Sequence, residues 1–321
     1  MSEPELREIT AGLRFPEGPV AMPDGSVVLV EIARATLSRV DVASGEITVV
    51  SECGGGPNGA ALGPDGMIYV ANNGAYFRWH DADGVLIPIP LEDHDGGCLQ
   101  RIDPATGAVE VLYDSCDGRR LVAPNDLVFD DHGGIWFTDH GVAPETHPDH
   151  AGVLYARADG SSITGAAYGT AHTNGVGLSP AGDRLYVAET HSGMLWQWAV
   201  TAPGELAPID GLDTDLGDHS GGHLLFDAPQ GHLFDSLAVD GDGWVCVATI
   251  GQGGITAVAP DGSASEHHAF PDFLVTNICF ADRTPDGEPD PDRRTAYVTC
   301  SSSGRLLAMT WPRPGLRLVH Q

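Results

Sequence analysis

Six residues stand at the same place in a repeated segment, and each carries a side-chain oxygen: Glu17, Asn58, Asn125, Asn174, Asp235 and Asn277. None is cationic. Carboxylate and amide oxygens are the ligands a hard divalent cation takes, with water completing its shell. The two carboxylates, Glu17 and Asp235, would balance two positive charges; burying both in one place without a cation would be costly. A single Asn or Asp ahead of a strand commonly caps a turn through its own side chain. Acceptors at all six positions point instead to convergence on one centre.

Convergence requires elements that bring distant residues together. The six segments are "EGPVAMPDGSVVLVE" from Glu17, "NGAALGPDGMIYVANN" from Asn58, "NDLVFDDHGGIWFTDHG" from Asn125, "NGVGLSPAGDRLYVAET" from Asn174, "DSLAVDGDGWVCVATIG" from Asp235 and "NICFADRTPDGEPDPDRRTAYVTC" from Asn277. Each reads as an apolar run, a turn rich in Pro, Asp and Gly, and a second apolar run, which is a hairpin pattern. Turn aspartates such as Asp24, Asp65 and Asp261 belong to the turns and not to the convergent set. Further strand pairs lie between the copies, among them "LSRVDVASGEITVV" and "LQRIDPATGAVEVLY". The starts are 41, 67, 49, 61 and 42 residues apart, so a four-stranded unit recurs with loop insertions. The expected fold is all-β: a six-bladed β-propeller of four-stranded antiparallel blades around a central channel, one domain over residues 1–321. The strand-like start "LREITAGLRF" and tail "GRLLAMTWPRPGLRLVH" are expected to complete one blade together and close the ring.

Composition narrows the chemistry. All 16 basic residues are Arg; the absence of Lys excludes Schiff-base enzymes and Walker-type phosphate loops. There is no GxSxG elbow for a nucleophilic serine. With 45 acidic residues the formal net charge is −29, which repels nucleic acid and anionic membrane alike. No apolar run reaches the roughly 18 residues that span a bilayer, and "MSEPELREIT" lacks the marks of a signal peptide, so a cytoplasmic protein is expected. The six cysteines form no CxxC pair and are expected to be reduced and mostly buried. Histidines offer weaker candidates. His219 and His223 fall in what reads as a Gly-rich loop and are expected to be exposed. His140, His172 and His191 lie near blade ends, where they could act as acid or base at the channel mouth. The tryptophans Trp79, Trp136, Trp196, Trp198 and Trp244 sit in strand runs and are expected to pack between blades.

The segments "FPEGPV", "PNDLVFDDHGGIWFTD", "TNGVGLSPAGDRLYVAET" and the Asp before "SLAVDGDGWVCVA" resemble the family of gluconolactonase, senescence marker protein (regucalcin) and luciferin-regenerating enzyme, with squid diisopropylfluorophosphatase as a structural cousin. The likeness runs from "FPEGPV" to "TAYVTCSSSGRL". It implies one divalent metal in the channel, with Glu17, Asn125, Asn174 and Asp235 as its ligands. Calcium is the ion the resemblance suggests, with manganese, zinc or iron in some members; oxygen-only ligation fits calcium or manganese better than zinc. The reaction expected is hydrolysis of a small-molecule lactone, sugar lactones included, with the metal as Lewis acid and Asp235 as the catalytic residue that orients or deprotonates water. Asn58 and Asn277 are expected to bind substrate. Organophosphate ester hydrolysis needs the same charge arrangement, and a non-catalytic calcium- or ligand-binding propeller is the alternative of another class. Two departures bear on the substrate: the His-rich insertion at 218–232, and the insertion "YFRWHDADGVLIPIPLEDHDGGC" between the second and third copies.

Overall fold

The computed structural model describes residues 5–91, 94–142, 151–170, 172–212 and 220–321. Among these residues, six four- or five-stranded antiparallel sheets are arranged as the blades of a β-propeller, with two two-stranded hairpins outside them. Each blade starts on an inner strand: Pro16–Ala21, Pro57–Leu62, Pro124–Phe129, Thr173–Leu178, Leu233–Val239 and Val275–Ala281. Every inner strand contacts the inner strands of the two flanking blades, the first and sixth included, so the ring is closed. The last blade is completed by the chain's first strand: Arg7–Ala11 pairs antiparallel with Arg305–Thr310. That pairing covers the edge that would otherwise lie open between start and tail.

The apolar runs form strands because both faces of a blade are covered by neighbours. Val27–Glu31 is buried at every position, as are Ile68–Asn72 and Gly134–Asp139, and a strand covered on both sides reads as continuous apolar sequence. Apolar side chains of adjacent blades meet in a separate cluster at each interface. Trp136, Trp196 and Trp198 fill the one between the third and fourth blades. Trp244 packs, partly buried, against the cluster between the fifth and sixth blades, and Trp79 departs from the expected inter-blade role. Trp79 sits on an inserted hairpin, its ring 4.9 Å from Phe15, and Trp244 lies under the Arg313 guanidinium at 4.2 Å. All six cysteines are unpaired and five are buried. The turn aspartates cap their own turns: Asp24 accepts from Ser26 N at 3.0 Å and Asp261 from Ser263 N at 3.0 Å.

Both insertions contribute strands among their described residues. Phe77–Ala82 and Val85–Pro90 form a hairpin outside the blades. His223–Asp227 adds a fifth strand to the fourth blade by pairing with Met194–Ala202. His223 therefore lies in a strand, where a loop was expected; His219 lies outside the described residues. The tail crosses the far end of the channel. Gly241 N donates to the Pro314 carbonyl at 2.7 Å, the His320 ring lies 5.1 Å from Phe129, and Leu316, Leu318 and Gln321 line the space beneath the inner strands. Among the described residues, no helix is long and apolar enough to cross a membrane.

Candidate active site

The inner strands share a defect that exposes side chains to the channel. Pairing with the second strand slips in every blade just after the first residues: between Glu17 and Val20, Pro57 and Gly59, Pro124 and Leu127, Thr173 and Val176, Phe234 and Leu237, and Val275 and Asn277. A bulge re-aims a side chain and ends regular pairing locally. Here it puts one residue per blade on a common cavity of about 290 Å³, lined by Glu17, Asn58, Asn125, Asn174, Asp235 and Thr276.

The sixth position is therefore Thr276. Val275 pairs with Cys300 as Pro16 pairs with Glu31, which makes Thr276 the counterpart of Glu17. Asn277, expected at the mouth to bind substrate, lies one residue further on and lines the space on the other side of the ring. Its amide reaches up from there: Nδ2 donates to Glu17 Oε2 at 2.8 Å, while Oδ1 accepts from Ile278 N.

Close approach of the inner strands dictates the residue after each channel-facing one. A Cβ on Gly59 would lie 2.6 Å from the Asn125 carbonyl oxygen, and one on Gly175 2.7 Å from that of Asp235, so glycine alone fits these positions. Gly18 holds the same position in the first blade, where a Cβ would lie 2.5 Å from Ala60 N; in the other three blades it is Asp126, Ser236 or Asn277, each tying one blade to another. Asp126 is a buried carboxyl that accepts from Leu127 N at 2.9 Å and, across the blade boundary, from Val176 N at 3.3 Å. Sequence reasoning missed it; the signal was the acid in the "ND" dipeptide, hidden behind its neighbour. A second missed row ends the second strands. Glu31 Oε2 accepts from Arg14 N, Asn72 Oδ1 from Gly56 N, and the Asp139 carboxylate from Val122 N and Ala123 N, at 2.7–2.9 Å. These bonds fix the backbone leading into three of the channel-facing positions.

Buried acids crowd this end of the ring. Burial, then the nearby charges of Asp235 and Asp126, lifts Glu17 well above the usual carboxylate range against the opposing bonds from Asn277 and Gly18. Burial also raises Asp235 to about 7; the Asn174 hydrogen bond opposes this and the Asp126 charge adds to it. Asp126 reaches about 7 through burial, opposed by its backbone donors. No arginine is among the described residues that line the cavity. Two buried oxygens in the cavity-lining set, Glu17 Oε1 and Asn125 Oδ1, accept no hydrogen bond from any described residue. Buried acceptors are normally satisfied, so an orphaned pair beside a second carboxylate suits a hard cation. Among the described residues no cluster of three or more His, Cys, Asp or Glu could hold a metal; the donors here are two carboxylates and amides.

The mouth carries the three expected histidines. His172 stacks on His191 at 4.1 Å and meets His140 at 4.8 Å, and all three line the cavity. Burial, followed by the neighbouring His172, pushes His140 down to about 3, so its imidazole is neutral.

Residues 15–302 match the family described as SMP-30/Gluconolactonase/LRE-like region. The chain belongs to this family. It is 25% identical over 301 residues to the gluconolactonase of Zymomonas mobilis, covering 87% of this chain and 76% of that one. It is 23% identical over 337 residues to the diisopropyl-fluorophosphatase of Loligo vulgaris, covering 98% and 94%. Among solved structures, a regucalcin from Agrobacterium tumefaciens described as a calcium-binding protein shares the fold with a TM-score of 0.70 at 17% identity, covering 98% of both chains. As an SMP-30/gluconolactonase-family propeller, the chain has Glu17, Asn125, Asn174 and Asp235 on one axial cavity, whose described lining includes no residue of the 218–232 insertion.

Proposed function

We propose that this chain is a metal-dependent lactonase whose ion, most suitably calcium, is held by Glu17, Asn125, Asn174 and Asp235. The observation that carries this is the orphaned oxygen pair, Glu17 Oε1 and Asn125 Oδ1, buried on the same cavity as the Asp235 carboxyl with no arginine among the described lining. When bound, the cation supplies Lewis-acid polarisation of the ester carbonyl and lowers the pKa of water. The chain does the rest. Asn277 pins one oxygen of Glu17 from beneath, leaving the other for the ion. Asn174 is held by its own Nδ2 bond to Thr190 Oγ1 at 3.0 Å. Asp235 orients the attacking water and takes its proton on a carboxylate oxygen. Asn58, with both a donor and an acceptor on the same cavity, binds the substrate. The gluconolactonase relative supports lactones as the substrate class. The diisopropyl-fluorophosphatase relative, aligned over 98% of this chain, favours phosphotriesters as a second reading.

Lactone hydrolysis followed with a pH indicator tests the proposal. Chelation is expected to abolish turnover and added calcium to restore it. Asp235→Asn with calcium bound is expected to lower kcat by about 100-fold or more. Undiminished turnover under chelation, or in Asp235→Asn, would overturn it. Turnover of a phosphotriester and of no lactone would establish the second reading.

A further inference from the structure

The walls of the cavity differ sharply from its floor. On the side of the first, second and sixth blades they are Phe15, Ile32, Phe77, Pro88, Pro90 and Leu274. None of these side chains can donate or accept a hydrogen bond, and the prolines lack even a backbone N–H. Opposite stand the flat imidazoles of His140, His172 and His191, with Tyr76 spanning the two sides: its ring lies 6.0 Å from His140 and 4.7 Å from Phe77.

The apolar wall is built and held in place. Phe77, Pro88 and Pro90 come from the inserted hairpin, which reaches over the mouth and is tied down at both sides. Leu86 N donates to the Ser302 carbonyl of the sixth blade at 2.8 Å. Trp79 packs on Phe15, and Arg14 Nη1 bonds Asp81 at 3.2 Å, both fixing it to the entrance of the first blade. Leu86 is itself buried with Phe15 and Ile32. A preorganised apolar wall gains by covering apolar substrate surface, whereas hydroxyls pressed against it lose water without replacement.

We propose that the pocket selects lactones bearing a flat apolar substituent, an aromatic ring above all, over polyhydroxylated sugar lactones. This rests on the lactonase reading: the ester sits on the polar floor, and the ring lies between the hairpin wall and the imidazole row. The hydroxyls of a sugar lactone would find the floor amides and histidines on one side and nothing on the other.

Three lactones with the same six-membered ester ring test this on calcium-loaded protein: δ-phenyl-δ-valerolactone, δ-valerolactone and glucono-1,5-lactone, each corrected for spontaneous opening. The expected order of kcat/KM is that order, with the phenyl compound about 100-fold or more above the sugar lactone. Phe77→Ser, with Pro88→Ser as a second variant and melting temperature as the check on folding, is expected to raise KM for the phenyl compound about tenfold and to narrow its kcat/KM advantage over the sugar lactone by at least that factor. Equal or better turnover of glucono-1,5-lactone overturns this inference and leaves the lactonase reading intact. No turnover of any of the three overturns both.

Discussion

Residues that touch no substrate carry much of the site. Asn277 donates to Glu17 from the far side of the ring, so Asn277→Ala frees Glu17 to turn away. Partners of metal ligands typically govern affinity by 10- to 100-fold. Calcium affinity is expected to fall by about tenfold in Asn277→Ala, with melting temperature nearly unchanged; equal affinity would remove the positioning role. His140 gives a pH signature. Its folded value of about 3 lies below the unfolded 6.5, so between those values the unfolded chain takes up a proton that the folded chain refuses. Its contribution therefore weakens as pH falls through 6.5 toward 3. Between pH 7 and 4.5, His140→Gln is expected to gain stability on wild type by roughly 2 kcal/mol, read from urea midpoints. A difference that stays constant over that range would mean that His140 titrates normally.

At the scale of elements, the bulge at the head of each inner strand does the aiming, and the close packing of inner strands keeps it there. Gly175→Ala would push a methyl group into the backbone around Asp235 and Leu237. The expected cost is about 2 kcal/mol or more in urea unfolding, with weaker calcium binding. Wild-type values for both would mean that the strands yield. The hairpins and their sixfold recurrence were legible because Asp-Gly turns and apolar runs are local signals. The site was legible for Glu17, Asn58, Asn125, Asn174 and Asp235 as a shared position. It was not legible in "VTNICF", where Thr276 and Asn277 are both polar; only pairing with Thr295–Cys300 decides which side of the ring each meets. Asp126 was obscured for the same reason: successive strand residues point to opposite faces. His223 reads as loop from its glycines, but pairing with Met194–Ala202 outweighs that local preference.

For the whole molecule, ring closure is what lets residues more than 200 positions apart share a cavity. Arg7–Ala11 supports that closure by completing the last blade, with Ile9 buried in the cluster shared by the sixth and first blades. Removing residues 1–11 is expected to lower the melting temperature by roughly 5 °C or more and to cause concentration-dependent association through the bared edge of Arg305–Thr310. Unaltered melting and a monodisperse sample would show that the ring holds without that strand. The net charge of −29 concentrates cations near the whole surface. A specific axial site must therefore be separated from diffuse binding. Calorimetric titration of metal-stripped protein with calcium does so. The account predicts one tight equivalent per chain above a weak background, with affinity about 100-fold lower in Asp235→Asn and the background unaltered. Diffuse binding alone, or a tight equivalent that Asp235→Asn leaves untouched, would contradict it.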